Sequence, residues 1–279
     1  MKIIPLISVV IVTHNRPISI FERSLKSVLS QTYKNIQITI VYTGKNPEKS
    51  ELISKYINSL DETSLQLIQL PNGSNNLARN IGFNASKGDY IAFLDDDDEW
   101  TSDKLEKQMK LFGENVSMVY SNYYTIDSDN KKNIFFQDAP DNDNIKSKIL
   151  GKNVIGCTSM PLISSKAFAE AGEFDESLRA NQEWDLWIRI LQENNVIFSP
   201  AIAGIKYHSK NSISNDKYRR AAGWIRLLMK HTQKYRKNRE QLTIATGFFV
   251  GEMFSKKMYL IGFMALVIHV LSKGARSKK

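Results

Sequence analysis

The chain contains one cysteine, Cys157, so it forms no internal disulfide. A chain so poor in thiols fits a reducing compartment. No stretch reaches the roughly 18 consecutive apolar residues of a membrane-spanning helix. The opening stretch, Met1 to Val12, is apolar but leads to no small-residue cleavage site, so it does not read as a signal peptide. It runs instead into Thr13, His14, Asn15, Arg16 and Pro17, the pattern of a strand ending in a polar loop. That loop lacks the Gly-rich basic signature of a nucleotidyltransferase phosphate site. Internal repeats and low-complexity linkers are also missing.

What is present is ordinary globular material: 279 residues, 42% hydrophobic and 24% charged. That length suits one large domain, or one domain with an appendage. Charge is unevenly placed. From Lys217 onward there are fifteen Lys or Arg against two acids, Glu240 and Glu252, giving the tail +13 of a chain whose net charge is +9. The body before it is therefore mildly acidic, which argues against a nucleic-acid-binding surface over the whole chain.

Periodicity divides the first half into alternating elements. Ile7 to Val12, Ile36 to Tyr42, Leu65 to Leu70 and Tyr90 to Leu94 read as strands. Between them, Phe21-Leu25-Val28-Leu29, Leu52-Ile53-Tyr56-Ile57-Leu60 and Leu77-Ile81-Ala85 fall at helical spacing. This order predicts a mostly parallel sheet with helices on both faces, and ligands at the carboxyl ends of its strands. Later, Val116 to Tyr124 and Thr158 to Ile163 are expected strands, and Asp127 to Asn144 an irregular loop. A helix capped by Ser164 or Ser165 should run to Ala171. Trp184, Trp187, Ile188 and Leu191 mark an amphipathic helix.

The most concentrated chemistry is Phe93-Leu94-Asp95-Asp96-Asp97-Asp98-Glu99-Trp100. In isolation an acidic run is more often a solvated turn than a site. Behind a buried strand of an α/β pattern, the same carboxylates suit Mg²⁺ or Mn²⁺, which bind hard oxygen ligands. Such a cation stabilises a departing diphosphate. A further carboxylate is needed to accept the proton of an attacking hydroxyl. Glu183, in Asn181-Gln182-Glu183-Trp184-Asp185-Leu186-Trp187, is the candidate base, with Asp185 as competitor. Trp100, Trp184 and Trp187 are able to stack on sugars, although such residues are more often core. Cys157 reads as a packing residue.

Taken in order, these segments resemble glycosyltransferase family 2. Ile7 to Arg16 resembles its first strand and nucleotide loop. Ala78-Arg79-Asn80-Ile81-Gly82 with Lys87 to Asp98 resembles its central block. Phe174-Asp175-Glu176 with Gln182 to Trp187 resembles its acceptor-side block, and Tyr207-His208 with Ser212 and Ser214 a later motif. The matches cover roughly residues 6–215. The resemblance implies a GT-A fold, inverting chemistry, a divalent cation and a nucleotide-sugar donor, with a UDP-sugar the first expectation. It places Asp97 and Asp95 at the metal with His208 beside it. Thr13, His14, Asn15, Arg16, Arg79, Asn80, Asp95 and Asp96 would form the donor pocket, and Glu183 stands at the base position. Acceptors in that setting are saccharides or lipid-linked saccharides of the cell surface.

One departure concerns the donor base. Where the family usually has paired acids after the second strand, this chain has Val41-Tyr42-Thr43-Gly44. Tyr42 is left as a stacking or packing residue. The altered loop also keeps open a non-catalytic nucleotide-sugar-binding subunit, while a metal-dependent nucleotidyltransferase is the remaining enzymatic alternative. The expected organisation is a GT-A domain over 1–215 and a basic helical tail over 216–279. The tail's charge and the apolar run Met258 to Leu271 predict peripheral contact with an anionic membrane, at the inner face of the cell membrane of the cytoplasm.

Overall fold

A computed structural model describes residues 4–60, 64–127, 129, 131–135, 142–208 and 216–274. Within them the chain forms two compact units. The first comprises Met1–Ala139, Cys157–Glu176 and Glu193–Ser209; the second comprises Pro140–Gly156, Ser177–Gln192 and Lys210–Lys279. This differs from a contiguous boundary after residue 215. The reason is that the helix carrying Trp184 packs with the C-terminal helices. The Trp184 and Trp224 rings meet edge-on at 5.0 Å, and Trp224 stacks on Phe249 at 5.6 Å.

The first unit begins as the periodicity predicts. β1 (Ile7–Thr13), α1 (Ile18–Leu29), β2 (Ile36–Thr43), α2 (Pro47–Asn58), β3 (Leu65–Leu70), α3 (Asn75–Asn84) and β4 (Tyr90–Asp95) follow in order. β1 pairs in parallel with both β2 and β4, and β2 with β3. Alternation along β1 explains why helices cover both faces. Val9 and Ile11 join the cluster containing Phe21, Leu25 and Val28 of α1. Val10 points the other way, where a Cβ on Gly82 of α3 would lie 2.4 Å from Val10 Cγ1. Gly82 therefore lets α3 approach the sheet closely.

Beyond β4 the sheet becomes mixed. It continues through β5 (Glu99–Trp100), β6 (Val116–Ile126), β7 (Lys132–Phe135), β8 (Leu162–Ser164) and β9 (Asn195–Tyr207), with α4 (Lys104–Met109) and α6 (Ser165–Glu170) in the same unit. The order is β3-β2-β1-β4-β8-β6-β9-β5, with β7 paired to β6. Two expectations need correction. The segment expected to be an irregular loop contains β7, antiparallel to β6, and helix α5 starting at Asn142. The strand expected over Thr158 to Ile163 is shorter and shifted to Leu162–Ser164, because those residues pair with β4 and β6.

The second unit is helical: α5 (Asn142–Gly151), α7 (Gln182–Glu193), α8 (Lys217–Lys230), α9 (Thr232–Lys237), α10 (Arg239–Ser255) and α11 (Tyr259–Gly274). Asp216 caps α8 by accepting from the backbone amides of Tyr218 and Arg219. Trp224 and Leu227 are 3% and 0% exposed, so they belong to the core of this unit. No described helix is long and apolar enough to cross a membrane.

Candidate functional site

Strands β1 and β4 are neighbours and end together, Val12 opposite Asp95. The polar loop after β1 and the aspartate run after β4 are therefore brought to one edge, as the parallel pattern requires. The aspartates then enter a tight turn in which the Asp98 amide donates to the Asp95 carbonyl at 3.0 Å. A turn sends successive side chains in different directions, so the four carboxylates acquire four different environments.

Asp95 accepts from Arg79 Nη2 at 2.6 Å, and Arg79 is itself 4% exposed. Burial pushes the Asp95 carboxyl up, but Arg79, Lys206 and Arg16 outweigh it and hold the group below its ordinary range. Asp96 turns back to the β1 loop. It accepts from Thr13 Oγ1 at 2.7 Å and from Arg16 Nε at 2.7 Å. Burial dominates there and pushes Asp96 up to about 6. Asp97 takes the other arm of the guanidinium, with Arg16 Nη2 2.6 Å from Oδ2. Its carboxyl is also raised, by burial and then by Asp95. Asp98 points inward at 1% exposure, accepting from Ser159 Oγ at 2.6 Å and from the Tyr207 amide at 3.2 Å. Burial pushes it up to about 7 against the charge of Lys206.

Asp95, Asp97 and Asp98 each offer a carboxylate oxygen, and the three oxygens lie within 4.8 Å of one another. Three hard, closely spaced oxygen donors fit Mg²⁺ or Mn²⁺. The third member was expected to be His208. The structure brings Asp98 there instead, because Ser159 and the β9 backbone hold that carboxylate inside the turn. His208 is exposed and tied by its amide to the Ile126 carbonyl at 2.8 Å. Burial and Lys206 lower its pKa, while the charges of Asp97 and Asp127 oppose them. Ser212 and Ser214 lie outside the described residues.

The rest of the β1 loop forms its own network. Asn15 adopts φ 41°, a left-handed conformation that asparagine tolerates. Its Oδ1 accepts from the Tyr42 hydroxyl at 2.9 Å, and its carbonyl accepts from Lys49 Nζ at 2.7 Å. His14 Nδ1 contacts the Thr43 carbonyl. Tyr42 is 1% exposed, so its ring presents no face for a base to stack on; it supports the loop from behind. Asn80, expected to support the donor wall, is held by the Phe174 backbone and by Glu176. It is 6% exposed, donates to the Phe174 carbonyl at 2.9 Å and to Glu176 at 3.1 Å, and accepts from the Phe174 amide at 3.0 Å. It joins α3 to the Phe174-Asp175-Glu176 segment.

Asp185, the competing base, lies in the second unit at 0% exposure. It accepts from Arg189 Nη2 at 2.9 Å and from Lys230 Nζ at 3.0 Å, and pairs with His231 Nε2 at 2.8 Å. Despite burial, these partners hold its pKa at about 2, led by the hydrogen bond from His231. A carboxylate so stabilised is a weak proton acceptor, so it reads as an ion-pair anchor. Glu183 is half-buried in the first turn of α7. The tryptophans are core. Trp100, Trp184 and Trp187 donate their indole N–H to the carbonyls of Ser159, Ile149 and Gly156 at 2.7, 2.6 and 3.2 Å. Cys157 is buried, and burial pushes its thiol up to about 12.

Three contributors carried no signal in the sequence reading. Ser159 bridges the Asp95 amide and the Asp98 carboxylate. Lys206 supplies positive charge to Asp95 and Asp98. Arg23 donates to the Asp97 carbonyl at 2.8 Å and lies over the Tyr207 ring at 3.8 Å.

Residues 8–172 match Glycosyl transferase family 2. An uncharacterized glycosyltransferase of Methanocaldococcus jannaschii is 31% identical over 67% of this chain and 65% of its own length. A putative teichuronic acid biosynthesis glycosyltransferase of Bacillus subtilis is 26% identical over 78% of this chain and 84% of its own. Matches to the first of these relatives thus span less than two thirds of their length. Among solved structures, a mannosyltransferase from Pyrobaculum calidifontis in complex with GDP-Man and Mn²⁺ aligns with TM-score 0.65 at 15% identity. That alignment covers 96% of this chain and 88% of the other. S. aureus TarS 1-349 in complex with UDP-GlcNAc also aligns with TM-score 0.65, at 16% identity over 90% of this chain and 73% of the other. At such identities these two neighbours speak for the fold alone, and it is the expected GT-A fold.

Proposed function

Because the chain belongs to glycosyltransferase family 2, we propose that it moves a sugar from a nucleotide-diphosphate donor to an acceptor hydroxyl in cell-surface polysaccharide synthesis. The observation that carries this reading is the gathering of Asp95, Asp97 and Asp98 within 4.8 Å, flanked by Arg16 and Arg79. The Bacillus relative's name supports the polysaccharide setting.

Asp95, Asp97 and Asp98 would hold a divalent cation, which would supply Lewis-acid neutralisation of the leaving diphosphate. The chain's own residues do the remainder. Arg16 and Arg79 add fixed positive charge beside the cluster, where phosphate oxygens are attracted and oriented. Thr13 and the Arg16 Nε hold Asp96 toward the nucleotide loop. Glu183 accepts the acceptor's proton as its oxygen bonds the anomeric carbon and the bond to the diphosphate breaks on the opposite face, giving inversion. Glu183 is preferred to Asp185 because the latter's lone pairs are committed to Arg189, Lys230 and His231.

The donor is proposed to be a UDP-sugar. One structural neighbour is described with UDP-GlcNAc and another with GDP-Man, so the neighbours allow either base. Calorimetry with UDP, GDP and dTDP in the presence of Mn²⁺, followed by turnover of the matching sugar donors with and without EDTA, tests both parts. Tight GDP or dTDP binding without UDP binding overturns the base assignment. Donor binding without any turnover on saccharide acceptors favours the binding-subunit alternative, whose support is the acid-free Tyr42-Thr43-Gly44 loop.

A further inference from the structure

We propose that the outer face of α11 is a docking surface for an anionic phospholipid bilayer. The argument starts from how the helix distributes its side chains by size. At helical spacing, Met258, Gly262, Ala265 and His269 share one side. Met258 and Ala265 are 8% and 1% exposed, Gly262 is buried, and His269 Nδ1 lies 3.0 Å from Thr246 Oγ1 of α10. A Cβ on Gly262 would lie 2.9 Å from Phe254 Cε2, and one on Gly247 of α10 would lie 3.4 Å from His269 Cε1, so a glycine on each helix makes room for a ring of the other.

The large residues point outward. Leu260 is 77% exposed, Phe263 61%, Met264 60% and Val270 58%, and Tyr259, Val267 and Ile268 are exposed with them. A helix surrounded by water does the reverse, burying its large apolar residues and exposing polar ones. Small residues between helices and large apolar residues outside is the arrangement of helices whose surroundings are apolar. Isolated exposed apolar residues need no explanation, but a contiguous face of this kind marks an interaction surface.

Charge selects the partner. The segment from Lys217 onward carries +13. Arg219, Arg220 and Lys230 pair with Asp216, Glu252 and Asp185, while Lys217, Arg226, Arg236, Lys237, Arg239 and Lys257 are exposed. A second copy of the chain would bring the same excess against it, whereas an anionic leaflet is complementary. Length selects the mode. The sixteen residues of α11 extend about 24 Å, short of the roughly 30 Å of a bilayer's hydrocarbon core. Lys256 and Lys257 precede the helix and Lys273 stands in its last turn by sequence. Such a helix lies parallel to the surface, with the apolar face in the acyl boundary and the lysines that precede it beside the phosphates. This inference is independent of the transfer chemistry proposed above.

The test is co-sedimentation of the full chain with vesicles of phosphatidylglycerol mixed with phosphatidylcholine, and with vesicles of phosphatidylcholine alone. The chain is expected to pellet with the anionic vesicles, and markedly less with the neutral ones. Leu260→Glu/Phe263→Glu should lower that partitioning by roughly tenfold or more. Both positions are exposed, so circular dichroism and donor binding of this variant should match the parent. Sedimentation velocity supplies the second readout. A wild-type chain that stays in the supernatant with anionic vesicles at low salt overturns the proposal. So does a dimer that this double substitution dissociates, because a second copy then covers the face.

Discussion

Arg16 divides its guanidinium between two neighbouring aspartates, with Nη2 2.6 Å from Asp97 and Nε 2.7 Å from Asp96. Asp97 is also a member of the carboxylate group suited to a cation. Under the proposed function, Arg16 and a metal would contend for one carboxylate until a diphosphate took the arginine. Arg16→Gln is expected to bind Mn²⁺ several-fold more tightly without nucleotide, and to bind the nucleoside diphosphate several-fold more weakly. Calorimetry of each ligand alone and together checks this. Unchanged Mn²⁺ affinity would show that the ion pair does not compete.

Asp97→Asn removes a charged oxygen donor from the cluster. Turnover should fall by an amount equivalent to several kcal/mol of leaving-group stabilisation, and excess Mn²⁺ should recover little of it. Asp97 is partly exposed, so the melting temperature should hardly move. A variant that retains full activity in EDTA would remove the metal from the mechanism.

Glu183 and Asp185 are two residues apart and should fail differently. Glu183→Gln is expected to lower turnover by roughly 10²–10⁴-fold with donor affinity nearly intact. Asp185→Asn leaves Arg189, Lys230 and His231 facing a neutral amide, and breaking such a buried ionic group costs about 3–5 kcal/mol of stability. Thermal melts beside steady-state kinetics separate the two. An inactive, fully stable Asp185→Asn with a normal Glu183→Gln would reverse the assignment.

The same anchor predicts an acid dependence. The Asp185 pKa falls from 3.8 to about 2 in the folded chain, so the fold binds its proton less readily than the unfolded chain does. Its contribution, about 2 kcal/mol by linkage, is present above about pH 4 and lost as pH falls toward 2. Denaturant titrations of the parent across this window should show the loss, and Asp185→Asn should lack that component.

Metal affinity should depend on pH in the opposite region. Asp98 is raised to about 7 by burial, and a cation binds the deprotonated carboxylate. Mn²⁺ binding should therefore strengthen as pH rises, most steeply near about 7. Titrations of Mn²⁺ across that range, repeated on Asp98→Asn, are the check. A pH-independent affinity in the parent would place Asp98 outside the metal's ligands.

The sequence by itself determined the βαβ order of the first four strands, because burial on one or both faces leaves a period in the apolar residues that survives without neighbours. It also determined that Thr13 to Arg16 and Asp95 to Asp98 meet at one edge, since parallel strands end on the same side. It did not decide the fate of each aspartate. Four adjacent carboxylates look alike in a string. Their separation depends on a turn and on partners far along the chain, Ser159 at 61 residues and Tyr207 at 109 from Asp98. The same holds for Asp185, whose partners Lys230 and His231 come from the end of α8 and its cap. For Tyr42 and the three tryptophans, composition allowed either stacking or packing, and tertiary burial chose packing. In α11 the apolar run was plain in the sequence. Only the packing against α10 decided that its small residues face inward and its large ones outward, because a helix that is apolar all round contains no information about which side its neighbour takes.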